Sequence, residues 1–155
     1  DRDGNEGGGG TDATGETRSS SSSSRSLSAA ALGLMRNLCG NDEIKTTLCL
    51  GAGGSSSSSS SSTTASPSAL PSVLGAMRSY RSHPPVQEHG CGTLAAMALR
   101  RPGNALAIVR EGGAGDVLTA MRRHPDRVTI QRQGALAVRN IVCRLVPRTG
   151  EGDNG

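Results

Sequence analysis

Between Ile130 and Leu145 the apolar and polar positions alternate with the period of a helix. At about 100° per residue, Ile130, Gly134, Ala137, Val138, Ile141 and Leu145 gather on one face. Arg132, Gln133, Leu136, Asn140 and Arg144 gather on an adjoining flank. This predicts a helix with one buried stripe and one mostly polar side, too short and too charged to span a membrane. The pattern recurs twice upstream. Leu27, Ala31, Leu34, Met35, Arg36 and Asn37 stand 103 positions before Ile130, Gly134, Ala137, Val138, Arg139 and Asn140. Val86, Gln87, Gly90, Leu94, Met97 and Arg100 stand 44 positions before Ile130, Gln131, Gly134, Val138, Ile141 and Arg144.

The stretches between these helices carry start and stop signals. The first helix is predicted from about Ser28 to Cys39, with Gly40 in the left-handed position that follows a helix. Asn41 is a good cap for the segment DEIKTTLCL, whose Asp42 and Glu43 suit the positive end of the helix dipole. A helix follows over Leu70–Tyr80, with Pro71 in its first turn, and another over Val86–Arg100. Asn104 is predicted to cap Ala105–Glu111, Asp116 to cap Val117–Arg123, and Asp126 to cap the long last helix. Gly90, Gly134, Ala98 and Ala137 read as small residues that let helices approach, since an interior glycine otherwise costs about 1 kcal/mol against alanine.

The spacings then fix the organisation. Val73-Leu74-Gly75-Ala76-Met77-Arg78 recurs as Val117-Leu118-Thr119-Ala120-Met121-Arg122, again 44 apart. The 103-residue offset exceeds two such periods by 15, the same excess by which the loop between Gly54 and Val73 outruns the loop between Gly113 and Val117. The serine tract 55–68 is therefore read as an insertion into one loop of a repeat of short, medium and long helices. Such an insertion costs little, because closure entropy grows only logarithmically with loop length. The repeats occupy 27–148: a last helix of one unit at 27–40, a second unit at 41–101 and a third at 104–145. Residues 1–26 and 149–155 are predicted disordered from composition. The chain begins with Asp1, so an incomplete gene product is expected.

Charge changes the picture modestly. Residues 1–17 carry a local charge of −4 within a chain of +4, leaving +8 on the remainder, almost all of it arginine, with Lys45 the only lysine. A basic surface suits an acidic partner or nucleic acid, but Tyr80 is the only aromatic side chain and base stacking needs aromatic platforms. Arg25-Ser26-Leu27-Ser28 has the spacing of a basophilic kinase site, a match common by chance in serine-rich sequence. Cys39, Cys49, Cys91 and Cys143 form no CxxC pair and are expected as reduced thiols of a cytosolic or nuclear protein, with no disulfide framework. His83, His89 and His124 lack metal-ligand spacing. There is no phosphate loop ending in GK[ST] and no nucleophile elbow. The expectation is a non-enzyme without metal or cofactor.

A 44-residue unit is too long for repeats of about 33 or 34 residues and falls within the roughly 40–47 of armadillo and HEAT units. Three helices per unit favour armadillo. The run LMRNLCGNDEIKTTLCLGAGG and the stretch from VLGAMRSYRSHPPVQEHG to GALAVRNIVCR resemble the armadillo repeat family over about Leu27–Arg144, the serine insertion excepted. The resemblance implies an all-α, right-handed α-solenoid that binds a partner segment along the concave surface of its third helices. It implies that Asn37 and Asn140 bond the partner's backbone, an amide offering both donor and acceptor. Ala96 breaks this pattern in the middle unit. The family's tryptophan positions are Gly33, Gly92 and Leu136, which disfavours a nuclear-transport adaptor. The candidate partner-binding residues are Asn37, Glu88, His89, Arg100, Arg132, Gln133, Leu136, Asn140 and Arg144. The expected partner is a protein with an acidic or extended segment, with nucleic acid disfavoured and no membrane. Isolated, two units and one helix leave apolar edges at Leu27–Cys39 and after Leu145, so the fragment is expected to be marginally stable or to self-associate, and the full-length protein to be monomeric.

Overall fold

The computed structural model of the chain describes residues 14–52 and 67–145. Among the described residues there are seven helices and no strand. They are α1 (Thr14–Leu38), α2 (Asp42–Leu50), α3 (Leu70–Ser79), α4 (Pro84–Ala98), α5 (Pro102–Arg110), α6 (Gly113–Arg123) and α7 (Val128–Leu145). No described helix is long and apolar enough to cross a membrane. The serine insertion is predicted at 55–68; its residues 55–66 lie outside the described residues, as do 1–13 of the predicted leader and the tail 149–155.

α4 is the hub of the packing. It lies between α1 and α7 and makes its most extensive contacts with those two. Ten of its fifteen residues are buried, among them Val86, Cys91, Leu94, Met97 and Ala98. A helix covered on nearly every side has little use for a polar stripe, which is why Ala95 and Ala96 stand where α7 carries Arg139 and Asn140. α3 adds Leu70, Val73, Leu74 and Met77 to this core, α5 adds Ala105 and Ile108, and α7 adds Ile130, Ala137 and Ile141. The apolar stripe read from the sequence of α7 is the one that is buried, with Val138 partly covered and Leu145 exposed.

Several contacts recur at the 44-residue offset. Gln87 donates from Nε2 to the carbonyls of Met77 and Tyr80 at 2.9 and 3.0 Å. Gln131 does the same to Met121 and His124 at 2.8 and 3.0 Å. In each case an amide in the first turns of a long helix satisfies the last carbonyls of the preceding helix, which have no partner within their own helix. A Cβ on Gly90 would lie 2.5 Å from Met77 Cγ, and one on Gly134 would lie 2.6 Å from Met121 Cγ. The glycines are thus the seats of two methionines, as expected of small residues at a close helix approach.

The element ends depart from the sequence reading in five places. α1 begins at Thr14, well before Ser28 and within the stretch predicted to be disordered. Within it Ser28 Oγ bonds the Ser24 carbonyl at 2.8 Å and Arg25 Nε the Ser21 carbonyl at 3.0 Å. Asn41 caps α2 as expected, accepting from the amides of Glu43 and Ile44 at 2.9 and 3.1 Å. Asn104 is no cap: it lies inside α5, buried, and donates to the Met97 carbonyl at 2.9 Å. Asp116 lies inside α6, whose cap is the left-handed Gly112, and α7 starts at Val128, two residues beyond Asp126. Gly40 has no positive φ; among the described residues the positive-φ glycines are Gly51 (φ 83°), after α2, and Gly112 (φ 79°), after α5.

Candidate functional site

The nine candidate residues divide once the helices are packed. Asn37 is exposed at the C-terminal end of α1, and Arg132, Leu136 and Arg144 are exposed along α7. Glu88, His89 and Gln133 are half-buried. Arg132 and Leu136, one turn apart on α7, lie on the side turned away from Ile130, Gly134, Ala137 and Ile141, so a ligand could reach them without disturbing the core.

Two of the nine do not stand where the sequence put them. Asn140 is buried, and its Nδ2 donates to the Ala95 carbonyl of α4 at 2.9 Å. Its amide is committed to holding α7 on α4, the bracing role, because α4 approaches closely enough to use the donor itself. Arg100 is not on α4. It follows the helix in a left-handed conformation (φ 60°), because Leu99 leaves the helical path and Pro102 starts the next helix.

At the α1–α4 contact the side chains interlock. Arg36 lies across Gly92, where a Cβ would come within 2.9 Å of its Cδ and 3.0 Å of its Nε. The His89 ring lies across Gly33, 3.5 Å from the Cβ that residue lacks. At each glycine the space that a side chain would fill is taken by a polar side chain from the facing helix. Thr93 Oγ1 donates to the Leu32 carbonyl of α1 at 3.0 Å, the counterpart of the Asn140–Ala95 bond at the next seam. His89 Nδ1 is buried without a hydrogen-bond partner, as is His83 Nδ1.

Electrostatics concentrate away from these residues. Lys45 is buried, with its ammonium on the Asp42 carboxylate at 2.7 Å and on the Leu99 carbonyl at 3.2 Å. Arg101 reaches the other Asp42 oxygen at 3.4 Å. The hydrogen bond from Lys45 holds the Asp42 carboxyl below its ordinary pKa. Arg78 of α3 meets Asp116 of α6 at 2.8 and 2.9 Å and the Glu111 carbonyl at 2.7 Å. Burial pushes the thiols of Cys49 and Cys91 up to about 12 and raises that of Cys39, so none of the three is a nucleophile near neutral pH. Cys143 is exposed. Sequence reasoning missed Lys45 as a buried anchor. The signal was present: the single lysine, three residues after Asp42, on the face of α2 that also carries Cys49.

Comparison with protein-family models, with curated proteins and with solved structures finds no match.

Proposed function

We propose that the chain is a non-catalytic protein-interaction scaffold: a right-handed α-solenoid of the armadillo type that binds a partner segment along its long helices. The observation that carries this reading is the recurrence of the same side-chain braces at one fixed offset, Gln87 to Met77 and Tyr80, then Gln131 to Met121 and His124. Successive units built to one plan, stacked through their longest helices, make an extended surface instead of an enclosed pocket. The three buried thiols with raised pKa values add no reactive centre to that surface.

The exposed residues of that surface are Asn37, Arg132, Leu136 and Arg144. Their chemistry, two guanidinium groups flanking an apolar side chain, suits a segment that alternates acidic and apolar residues. Asn140 is left out of the contact set because its amide is already used within the fold. The test is a pull-down with the full chain and with an Arg132→Glu, Arg144→Glu version. Proteins held at low salt, released by added salt and lost from the double variant support the reading. An identical set of captured proteins from both versions would sink it.

A further inference from the structure

One face of the molecule is a copy of an interior one. Leu74 is fully buried in α3, while Leu118, its equivalent in α6, is 45% exposed. Ala98 is fully buried in α4, while Val142 in α7 is 49% exposed. Met77 and Leu94 are buried, and their equivalents Met121 and Val138 are only half-covered. Leu118, Met121, Arg122, Pro125 and Gln131 border an open cavity of about 430 Å³. What closes the interior face is known in detail, because this chain supplies it. Gly113 of α6 sits against Leu74, where a Cβ would come within 3.1 Å of Leu74 Cδ2, and Asp116, three residues on, takes Arg78. Arg122 is the equivalent of Arg78, yet its Nε reaches only the Leu118 carbonyl of its own helix, at 3.3 Å.

From this we propose that the α6–α7 face docks a helical segment of a partner protein that carries a small residue three positions before a carboxylate. The small residue would seat on Leu118 and the carboxylate would take Arg122, as Gly113 and Asp116 seat on Leu74 and Arg78. A second copy of this chain, arranged head to tail, is a poorer occupant. The positions 44 before Gly113 and Asp116 are Ala69 and Ser72, which supply the small residue but no acid. This face is distinct from the flank that holds Arg132, Leu136 and Arg144, so the proposal stands apart from that reading of the molecule.

The test uses the full chain and two labelled probes. One is a synthetic peptide with the sequence of Pro102–Leu145, carrying Leu118→Glu so that it cannot stack on itself. The other is a helix-locked peptide with the sequence of Glu111–Arg123, which needs no folding to bind. Saturable binding by anisotropy is expected, weakened about fivefold or more by Arg122→Glu in the chain and restored when the probe carries Asp116→Arg. Both substituted chain positions are exposed, and unchanged far-ultraviolet dichroism checks that the variants fold. The proposal is overturned if neither probe binds, or if Arg122→Glu has no effect. It is also overturned if the chain alone forms dimers in sedimentation equilibrium that Leu118→Glu abolishes, since the occupant is then a second copy.

Discussion

Replacing Gly90 or Gly134 by alanine is the same chemical change at equivalent positions, yet the two should move stability in opposite directions. In an unhindered helix interior, glycine to alanine gains about 1 kcal/mol. At both sites the new methyl meets a methionine, 2.5 Å from Met77 Cγ and 2.6 Å from its Sδ in one case, and 2.6 Å from both atoms of Met121 in the other. Met77 is only 1% exposed and cannot swing away without displacing the core, so overpacking there costs about 1–3 kcal/mol. Met121 borders the open cavity beside Leu118 and can rotate into it. Gly90→Ala should therefore lower stability by about 0–2 kcal/mol, while Gly134→Ala should leave it unchanged or raise it by up to about 1 kcal/mol. Urea unfolding followed at 222 nm measures both, with midpoints compared at equal slope. If Gly90→Ala proved as stable as Gly134→Ala, the idea that one methionine is clamped and the other free would be refuted.

Gln87→Leu removes the side-chain donor from the buried Met77 carbonyl, while Tyr80 keeps its bond from the His83 amide, and should cost about 1–3 kcal/mol, with Gln131→Leu costing less because Gln131 is only half-buried; paired urea melts check the order. Leu94→Ala, at a fully buried site in the middle of α4, should cost about 2–5 kcal/mol in the same assay. In native thiol titration near neutral pH, Cys143 should react fast and Cys39, Cys49 and Cys91 slowly, all four becoming equivalent in denaturant; a native chain with several fast thiols would contradict their burial. The raised thiol pKa values stabilise the fold below the ordinary thiol value and the benefit fades as pH climbs toward about 12, whereas the lowered Asp42 pKa contributes above the ordinary aspartate value and is lost as pH falls through it. Alkaline melts of a Cys49→Ser variant and acid melts of Asp42→Asn should show a shallower fall of stability with pH than the parent chain.

Much of the fold was legible because helix period and repeat offset are properties of the chain alone. The buried stripe of α7 and the cap at Asn41 came from spacing and residue type. The roles of Asn104, Asp116 and Asn140 did not. Each is a short polar residue near a helix boundary or on a polar flank, where capping or exposure is the default. Each is instead taken by a group brought in from another helix: Met97 for Asn104, Arg78 for Asp116, Ala95 for Asn140. A local rule cannot see a partner on another helix, seven residues away for Asn104 and dozens away for Asp116 and Asn140. The helical start at Thr14 was missed because a serine-rich, nearly apolar-free composition argues for disorder and carries no helical period.

The glutamine braces also bear on how the molecule yields under load. Gln87 and Gln131 each tie one helix to its successor with two bonds, whereas Thr93 and Asn140 reach across the α1–α4 and α4–α7 seams to single carbonyls. Because α4 makes its most extensive contacts at those two seams, broad apolar packing resists there and paired polar bonds resist within the helix pairs. Under a pull along the chain the molecule should therefore give way as one body instead of in steps.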